Sequence, residues 1–306
     1  MIEELRREIN SVFVGKEAVV DDILTCILAG GHVLLEDVPG VGKTTLSKAV
    51  ARAFGLDFGR IQFTPDTLAS DVTGLSVWNM KTNEFEFHEG EIMHQFVLAD
   101  EINRTSPKTQ AALLEAMEEK QVSADGHVLV LPKPFIVIAT QNPIEFVGTY
   151  PLPEAELDRF MMKLTVGYPS KEKEVLMARN SLGDNPLDRI RSVSSAEELL
   201  EEQKKVEQVQ LSDAVLNYCY SIVQQTREEA NFVIGASPRA FLSLVKAARA
   251  KAYLNGRDFV TPDDVKAITV KVLHHRISLS QEARVRKEDV GKILVGIVAT
   301  TRVPVK

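Results

Sequence analysis

Short apolar runs alternate with helical stretches along the first half of the chain. Five runs are rich in Val, Ile or Phe and are bounded by Gly, Pro, Asp or Asn, as buried strands are. They are HVLLE (32–36), IQF (61–63), FVLAD (96–100), FIVIAT (135–140) and MMKLTV (161–166). Helical stretches such as KTTLSKAVARAF and KTQAALLEAMEEK lie between some of them. Strands that alternate with helices predict an α/β fold whose mostly parallel sheet is covered by helices on both faces.

Two further stretches predict β-hairpins. The first, SVWNMKTNEFEFHEG (76–90), alternates between apolar and polar residues around a turn at residues 82–83. The second, QVSADGHVLVLP (121–132), turns at Asp125-Gly126, a dipeptide that favours two-residue hairpin turns.

From Ser170 onwards the pattern predicts helices only. They are expected at about 171–180, 195–206, 211–228, 238–254, 262–276 and 286–299. Helix starts are indicated by a capping residue followed by an acid or a proline, at residues 212–213, 237–238 and 261–262, and Asn255-Gly256 indicates a helix end. We therefore expect two domains, an α/β domain at residues 1–169 and an all-helical domain at residues 170–306.

Composition narrows the class of protein. The 306 residues are 44% hydrophobic and carry a net charge of −7, which gives no reason to expect a surface for nucleic acid or an anionic membrane. Cys26 and Cys219 lie far apart in apolar periodic segments, which favours buried thiols in a reducing compartment. No apolar run approaches the roughly 20 residues that span a bilayer. We expect a cytoplasmic protein without a membrane span.

The segment EDVPGVGKTT (36–45), called the phosphate loop below, lies between the first predicted strand and a predicted helix. Gly40 and Gly42 would let backbone N–H groups converge on phosphate oxygens, while the helix directs its positive N-terminal end at the same anion. In such a loop Lys43 reaches the β- and γ-phosphates, and the Thr44 hydroxyl ligates Mg²⁺. Asp37 stands where the usual pattern has a further glycine. Because that position lies at the strand exit, we expect the site to survive.

Two acids follow the apolar run at 96–100. Asp100 ends the predicted strand and Glu101 comes directly after it. A carboxylate at the end of a neighbouring strand can hold the magnesium shell, and the next can orient the attacking water. Phosphoryl transfer needs the phosphates clamped, the metal held and the nucleophile aimed, and these residue types supply all three.

Three further residues are candidates, each with a plainer alternative. Asn142 in ATQNP could donate to the γ-phosphate or the attacking water, or could only form the turn before Pro143. Arg159 could reach a neighbouring subunit's nucleotide, or could only pair with Asp158 or Glu156. Arg239 lies in the first turn of a predicted helix, where the positive end of the helix dipole makes a cation slightly unfavourable. Its side chain could therefore bind a phosphate, or could only be solvated.

At these stretches the chain resembles the AAA+ ATPases, and within them the MoxR family, over essentially its whole length. EDVPGVGKTT is similar to the family's Walker A motif, FVLADEINR to Walker B, ATQNP to sensor 1, YPLPEAELDRF to the arginine-finger segment and GASPRA to sensor 2. FVGKEAVV (13–20) is similar to the segment near the adenine, and the hairpins are similar to the helix-2 insert and the hairpin before sensor 1.

The resemblance implies a P-loop NTPase core with a C-terminal helical lid domain, ATP and Mg²⁺ as cofactors, and a ring that is expected to be a hexamer. Catalytic roles are implied for Glu101, Asn142, Arg159 (in trans) and Arg239 (from the lid). Nucleotide contacts are implied for Val14, Gly15, Pro39, Gly40, Val41, Gly42, Lys43, Thr44, Thr45 and Asp100, with Thr44 and Asp100 at the metal.

Family members are regarded as chaperone-like motors that mature or assemble other proteins, often with a von Willebrand factor A domain partner. Trp78, Phe85 and Phe87 on the first hairpin are a candidate surface for such a client, or else part of a core. One alternative is a nucleic-acid or chelatase-type motor of the related helix-2-insert clade, although the acids of the first hairpin would repel phosphate. Another is a scaffold that binds ATP without hydrolysing it.

Overall fold

The structure is a computed structural model that describes residues 1–143, 148–180 and 186–304, including their side chains except those of 176–180. Its helices and strands follow in chain order: α1 (Ile2–Val12), α2 (Glu17–Leu28), β1 (Val33–Glu36), α3 (Lys43–Phe54), β2 (Phe58–Gln62), α4 (Ala69–Thr73), β3 (Gly74–Asn79), β4 (Glu84–Glu89), β5 (Phe96–Asp100), α5 (Pro107–Glu119), β6 (Gln121–Ala124), β7 (His127–Val130), β8 (Ile136–Gln141), α6 (Glu154–Leu157), β9 (Met162–Leu164), α7 (Lys171–Asn180), α8 (Ala196–Glu207), α9 (Asp213–Glu228), β10 (Phe232–Ile234), α10 (Pro238–Leu254), α11 (Pro262–Leu273), β11 (Ser278–Leu279), α12 (Gln281–Val285) and α13 (Val290–Thr300).

The chain forms two compact units. The first comprises Met1–Val20, Leu34–Arg159 and Thr165–Leu200, and the second comprises Asp21–Val33, Phe160–Leu164 and Glu201–Lys306. The expected domain boundary at residues 169 and 170 stays a prediction. None of the helices in the described parts of the chain is long and apolar enough to cross a bilayer.

The sheet of the first unit runs in the order β2-β5-β8-β1. β5 pairs in parallel with both β2 and β8. The α/β architecture with a parallel sheet flanked by helices is thereby confirmed. Since the strands are parallel, the residues that follow their carboxyl ends lie at one edge of the sheet, where ligands of such folds bind.

One strand begins earlier than its apolar run. β2 starts at Phe58, because buried Gly59 and Ile61 alternate with exposed Arg60 and Gln62 on this outermost strand. The continuous apolar run in the sequence, IQF, therefore coincides only with the C-terminal end of β2.

Both predicted hairpins are confirmed. β3 and β4 pair antiparallel and are joined by residues 80–83. β6 and β7 are joined by Asp125 and Gly126, whose φ values of 49° and 80° are those of a type I′ turn.

The second unit is mainly helical, and its helices begin where the capping pattern predicts. The side chains of Ser212 and Ser237 accept hydrogen bonds from backbone N–H groups of the first turns of α9 and α10. At the start of α11, Asp264 Oδ2 accepts from Thr261 N at 2.9 Å and from Thr261 Oγ1 at 2.8 Å. Cys26 and Cys219 are buried free thiols, and burial raises the pKa of Cys219 to about 12.

Two expectations for this half are wrong. Strands β10 and β11 pair antiparallel, so the half is not helical throughout; they are three and two residues long, too short to leave a periodic pattern. The helix expected at 286–299 corresponds to α13, which begins only at Val290 and is preceded by the separate short helix α12. The chain breaks between them because Lys287 adopts a left-handed φ of 58° and the Asp289 side chain caps Lys292 N at 2.7 Å.

Candidate nucleotide site

The phosphate loop turns between β1 and α3 on two left-handed glycines. Gly40 has a φ of 85° and Gly42 a φ of 87°. A side chain on Gly42 would also place its Cβ 3.2 Å from the ring of Phe13, whereas Gly40 faces open space. α3 begins at Lys43, so the loop delivers the open backbone N–H end of a helix, which suits an anion.

Lys43 points back over this loop. Its Nζ donates to the carbonyl oxygens of Asp37 at 2.7 Å and Val38 at 3.3 Å. Partial burial lowers the pKa of Lys43, and the negative charges of Asp37, Asp100 and Glu101 oppose that shift. The structure therefore brings the loop lysine and the two strand-end acids into one electrostatic environment. Phosphate oxygens offer this ammonium stronger, charge-assisted partners than the carbonyls.

Asp37 has a structural role that its position in the motif did not reveal. Its side chain is buried, with Oδ1 accepting from Val38 N at 2.8 Å and Oδ2 accepting from the backbone N–H of Gly167. Asp37 thus ties the loop to a distant segment of the first unit.

Asp100 ends β5 with both carboxylate oxygens engaged. Oδ2 accepts from Arg60 Nη2 at 2.7 Å, and Oδ1 accepts from Thr140 Oγ1 at 2.6 Å. The hydroxyl oxygen of Thr140 also accepts from Glu101 N at 2.9 Å. Thr140 therefore fixes the two acids relative to β8.

Glu101 has a left-handed backbone with φ 59° and ψ 47°. Such a conformation is costly for a residue other than glycine and is concentrated at functional sites. Its Oε2 accepts from Arg104 Nη1 at 3.0 Å and from Gln62 Nε2 at 3.1 Å. The carboxylate is held by side chains on both sides.

Asn142 follows β8 and is buried. The carbonyl of its neighbour Gln141 accepts from Asp37 N at 3.2 Å, which places the end of β8 directly beside the phosphate loop. Asn142 is thus near the loop, as the parallel sheet predicts, and it also precedes the turn at Pro143, so both interpretations of it stand.

The two arginines lie in different units. Arg159 follows α6 in the first unit, and its Nε is 3.3 Å from Glu118 Oε2. One ion-pair partner of Arg159 is thus a residue of α5. Burial raises the pKa of Glu156, and the nearby charge of Arg159 opposes that shift, so an interaction with Glu156 stands beside the pair with Glu118. Arg239 lies in the first turn of α10 in the second unit, with an exposed side chain.

A cavity of about 160 Å³ adjoins the phosphate loop. Its walls are Phe13, Val14, Lys16, Pro39, Gly40, Val41, Val166, Gly167, Tyr168, Pro169 and Glu174. Val14 therefore lines a cavity beside the phosphate loop, and its contact with a base stays a prediction. Gly15 beside it has a φ of 84°, and a Cβ there would be 2.8 Å from the Lys173 side chain, so that only glycine fits without a shift.

The donor groups at the loop suit Mg²⁺. Thr44 offers a hydroxyl and Asp100 a carboxylate, the hard oxygen ligands that this ion prefers alongside phosphate and water. Thr44 is partly accessible in the first turn of α3. The residues present fit a magnesium triphosphate.

The sequence patterns did not predict the residues that hydrogen-bond to the two acids or pack against the glycine turn. Arg60, Gln62, Thr140 and Arg104 hold the two acids, and Phe13 backs the glycine turn. Arg60 and Gln62 could have been predicted only from the register of β2, because they occupy alternate positions on its exposed face. Thr140 ends an apolar run, and a hydroxyl buried there indicates a hydrogen-bond partner, because buried polar groups are almost always hydrogen-bonded.

Comparisons with known proteins agree with this geometry. Residues 32–162 match the model described as "ATPase family associated with various cellular activities (AAA)", and residues 224–295 match the AAA lid domain. The chain is 41% identical over 285 residues to Chaperone MoxR1 of Mycobacterium tuberculosis, covering 90% of this chain and 75% of that protein. It is 30% identical over 329 residues to Protein MoxR of Paracoccus denitrificans, covering 97% and 94%.

A solved crystal structure of a Cytophaga hutchinsonii protein matches with a TM-score of 0.92 at 39% identity, covering 99% of this chain and 95% of that one. Both the nucleotide-binding core and the lid are thus found in sequence and in structure. The chain belongs to the MoxR family of AAA+ ATPases.

Proposed function

We propose that the protein binds Mg-ATP in the phosphate loop, hydrolyses it, and uses the cycle to remodel or mature partner proteins. The observation that carries the proposal is the position of Lys43, which lies over the glycine turn and within the field of Asp100 and Glu101. A lysine, a glycine turn and two acids from the adjacent sheet edge are the parts that phosphoryl transfer from a nucleotide requires.

Each group has a distinct task in the proposed reaction. The N–H groups of the turn and the Lys43 ammonium bind the phosphates, and Thr44 and Asp100 would hold Mg²⁺, which supplies positive charge against the phosphate oxygens. Glu101 orients the attacking water and accepts its proton. Asn142 donates a hydrogen bond to the water or to the γ-phosphate.

We further propose that the sites are shared between subunits of a ring, with six as the expected number. Arg159 would act on the neighbour's nucleotide, and Arg239 would act from the lid. Light scattering tests the assembly: a non-hydrolysable ATP analogue with magnesium should convert small species into a ring. A monomer that persists at high concentration would contradict the role of Arg159 and leave the binding roles within the chain standing.

The proposed client is a protein, and one with a von Willebrand factor A domain is a candidate. Support comes from the first hairpin, where Trp78 is 48% and Phe85 71% exposed with ring centroids 5.1 Å apart. The core alternative for these two rings is therefore wrong for the described chain. The buried free thiols support a cytoplasmic location.

The nucleic-acid or chelatase-type motor is not favoured by any observation on the described residues. Glu84, Glu86 and Glu89 are all exposed on the first hairpin, and Asp125 lies at the tip of the second. Carboxylates exposed on these hairpins repel a phosphate backbone.

Phosphate release with magnesium tests the proposal. Wild type should turn over ATP, while Glu101→Gln should bind ATP but release phosphate at least about a hundredfold more slowly, since it loses the carboxylate that orients water. Equal, near-zero rates for wild type and Glu101→Gln would overturn hydrolysis and favour the scaffold.

A further inference from the structure

Asp37 bridges two parts of the first unit with one carboxylate. Oδ1 accepts from Val38 N at 2.8 Å within the phosphate loop, and Oδ2 accepts from Gly167 N more than a hundred residues later. The side chain is only 7% exposed, so both bonds are shielded from water. A shielded charge-assisted hydrogen bond is stronger than a neutral one and fixes its partners closely.

The segment held by Asp37 is a wall of the cavity beside the loop. Residues 166–169, called the wall segment below, line this cavity together with Phe13, Val14 and Lys16 and with Pro39, Gly40 and Val41 of the phosphate loop. Gly167 has a φ of 66°, a left-handed conformation that turns its N–H towards Asp37.

A second hydrogen bond holds the same wall segment. Lys16 Nζ donates to the carbonyl oxygen of Tyr168 at 2.8 Å. The wall segment is therefore tied by one residue to the phosphate loop and by another to the N-terminal segment that carries Val14. The two ties therefore join the wall segment to two other groups of residues that line the cavity.

We propose that Asp37 is a positioning residue for the nucleotide base: it joins the phosphate loop to the wall segment, so that the cavity is held open to a base at a fixed distance from the phosphates. This inference rests on the proposed function. It explains why an aspartate replaces the usual glycine at the strand exit, where glycine could form no such tie. Asp37 would not touch the phosphates, because its side chain is turned towards the wall segment.

Binding of two ligands separates this role from a general weakening of the loop. ATP uses the cavity and the phosphate loop, whereas inorganic tripolyphosphate uses the loop alone. Both would be measured with magnesium by displacement of a fluorescent ATP analogue. Asp37→Ala should weaken ATP about tenfold, equal to about 1.4 kcal/mol, and tripolyphosphate less than about twofold. Lys16→Met should cause the same selective loss through the second tie.

Two control variants frame the result. Lys43→Ala should weaken both ligands together, and Asp188→Ala, which removes an exposed carboxylate paired with Arg52, should change neither. Thermal unfolding shows whether each variant is folded. If Asp37→Ala does not fold, Lys16→Met is used for the same comparison of the two ligands. Equal losses of ATP and tripolyphosphate in Asp37→Ala or Lys16→Met, or no loss, would overturn the inference while leaving the proposed function intact. Wild type that binds neither ligand would overturn the proposed function itself and the inference with it.

Discussion

Arg60 and Asp100 form an ion pair at the edge of the sheet, with 2.7 Å between Arg60 Nη2 and Asp100 Oδ2. They lie on the neighbouring parallel strands β2 and β5. The guanidinium therefore occupies an oxygen of the carboxylate proposed to hold magnesium.

Arg60→Ala should lower the magnesium concentration needed for half-maximal phosphate release. Because a half-exposed ion pair is worth about 0.2–1 kcal/mol, the expected shift is up to about fivefold. Arg52→Ala removes an exposed arginine that pairs with Asp188, and it should leave the magnesium requirement unchanged. A higher requirement in Arg60→Ala would mean that Arg60 instead holds Asp100 in its active position.

Thr140→Val should destabilise the protein by about 1–3 kcal/mol and slow hydrolysis. The change preserves shape but removes the hydroxyl that donates to Asp100 Oδ1 and accepts from Glu101 N, leaving buried polar groups unpaired. Urea unfolding and phosphate release measure the two effects. The matched change Thr269→Val removes only a bond to the Val265 carbonyl within α11, so it should cost less and leave hydrolysis unchanged.

The most predictable parts of the fold were those whose signal is local. β5 coincides with the run FVLAD because all five residues are buried, and the helix caps at Ser212 and Ser237 were readable because capping involves adjacent residues. β10 and β11 were not predictable, since neither has enough residues to show a period and their pairing joins positions far apart in the chain.

The residues of the candidate site also fall into those with a local sequence signal and those that depend on long-range contacts. Lys43, Asp100 and Glu101 were found from a motif and from the rule that parallel strands end at one edge, and the structure brings them together. The partners of these groups depend on register and on long-range contacts. The bond from Gly167 to Asp37 spans two segments that no local pattern connects.

Acid should destabilise the second unit through His275. Burial, together with the charge of Arg276, lowers the pKa of His275 well below its ordinary value, and its Nε2–H donates to the Phe160 carbonyl at 2.9 Å. The folded state keeps this ring neutral while the unfolded state binds a proton below about pH 6.5. The contribution is therefore present above that pH and lost as the pH falls, by about 1.4 kcal/mol at pH 5.5.

Urea unfolding at pH 7.5 and 5.5 checks this expectation. His275→Gln keeps a donor for the Phe160 carbonyl and cannot titrate, so its stability should fall less between the two pH values than that of wild type. His88→Gln, a change of an exposed histidine on β4, should behave like wild type. Identical pH dependence in wild type and His275→Gln would show that the ring is not the group responsible.

Mixing two inactive variants should restore activity if Arg159 acts on the neighbouring subunit. Lys43→Ala lacks the site and Arg159→Ala lacks the finger, but a junction between one of each can contain both intact groups. In randomly mixed rings of equal parts, roughly a quarter of the head-to-tail junctions are complete. Phosphate release should therefore exceed that of either variant alone, and a mixture no more active than its components would contradict action in trans.

Equilibrium binding of Mg-ATP to Lys43→Ala tests the central claim most directly. The account predicts that affinity falls at least about a hundredfold, because the ammonium over the glycine turn is the principal cation at the phosphates. Lys48→Ala, a change of another lysine on α3, should bind as wild type does. Unchanged ATP affinity in Lys43→Ala would contradict the account.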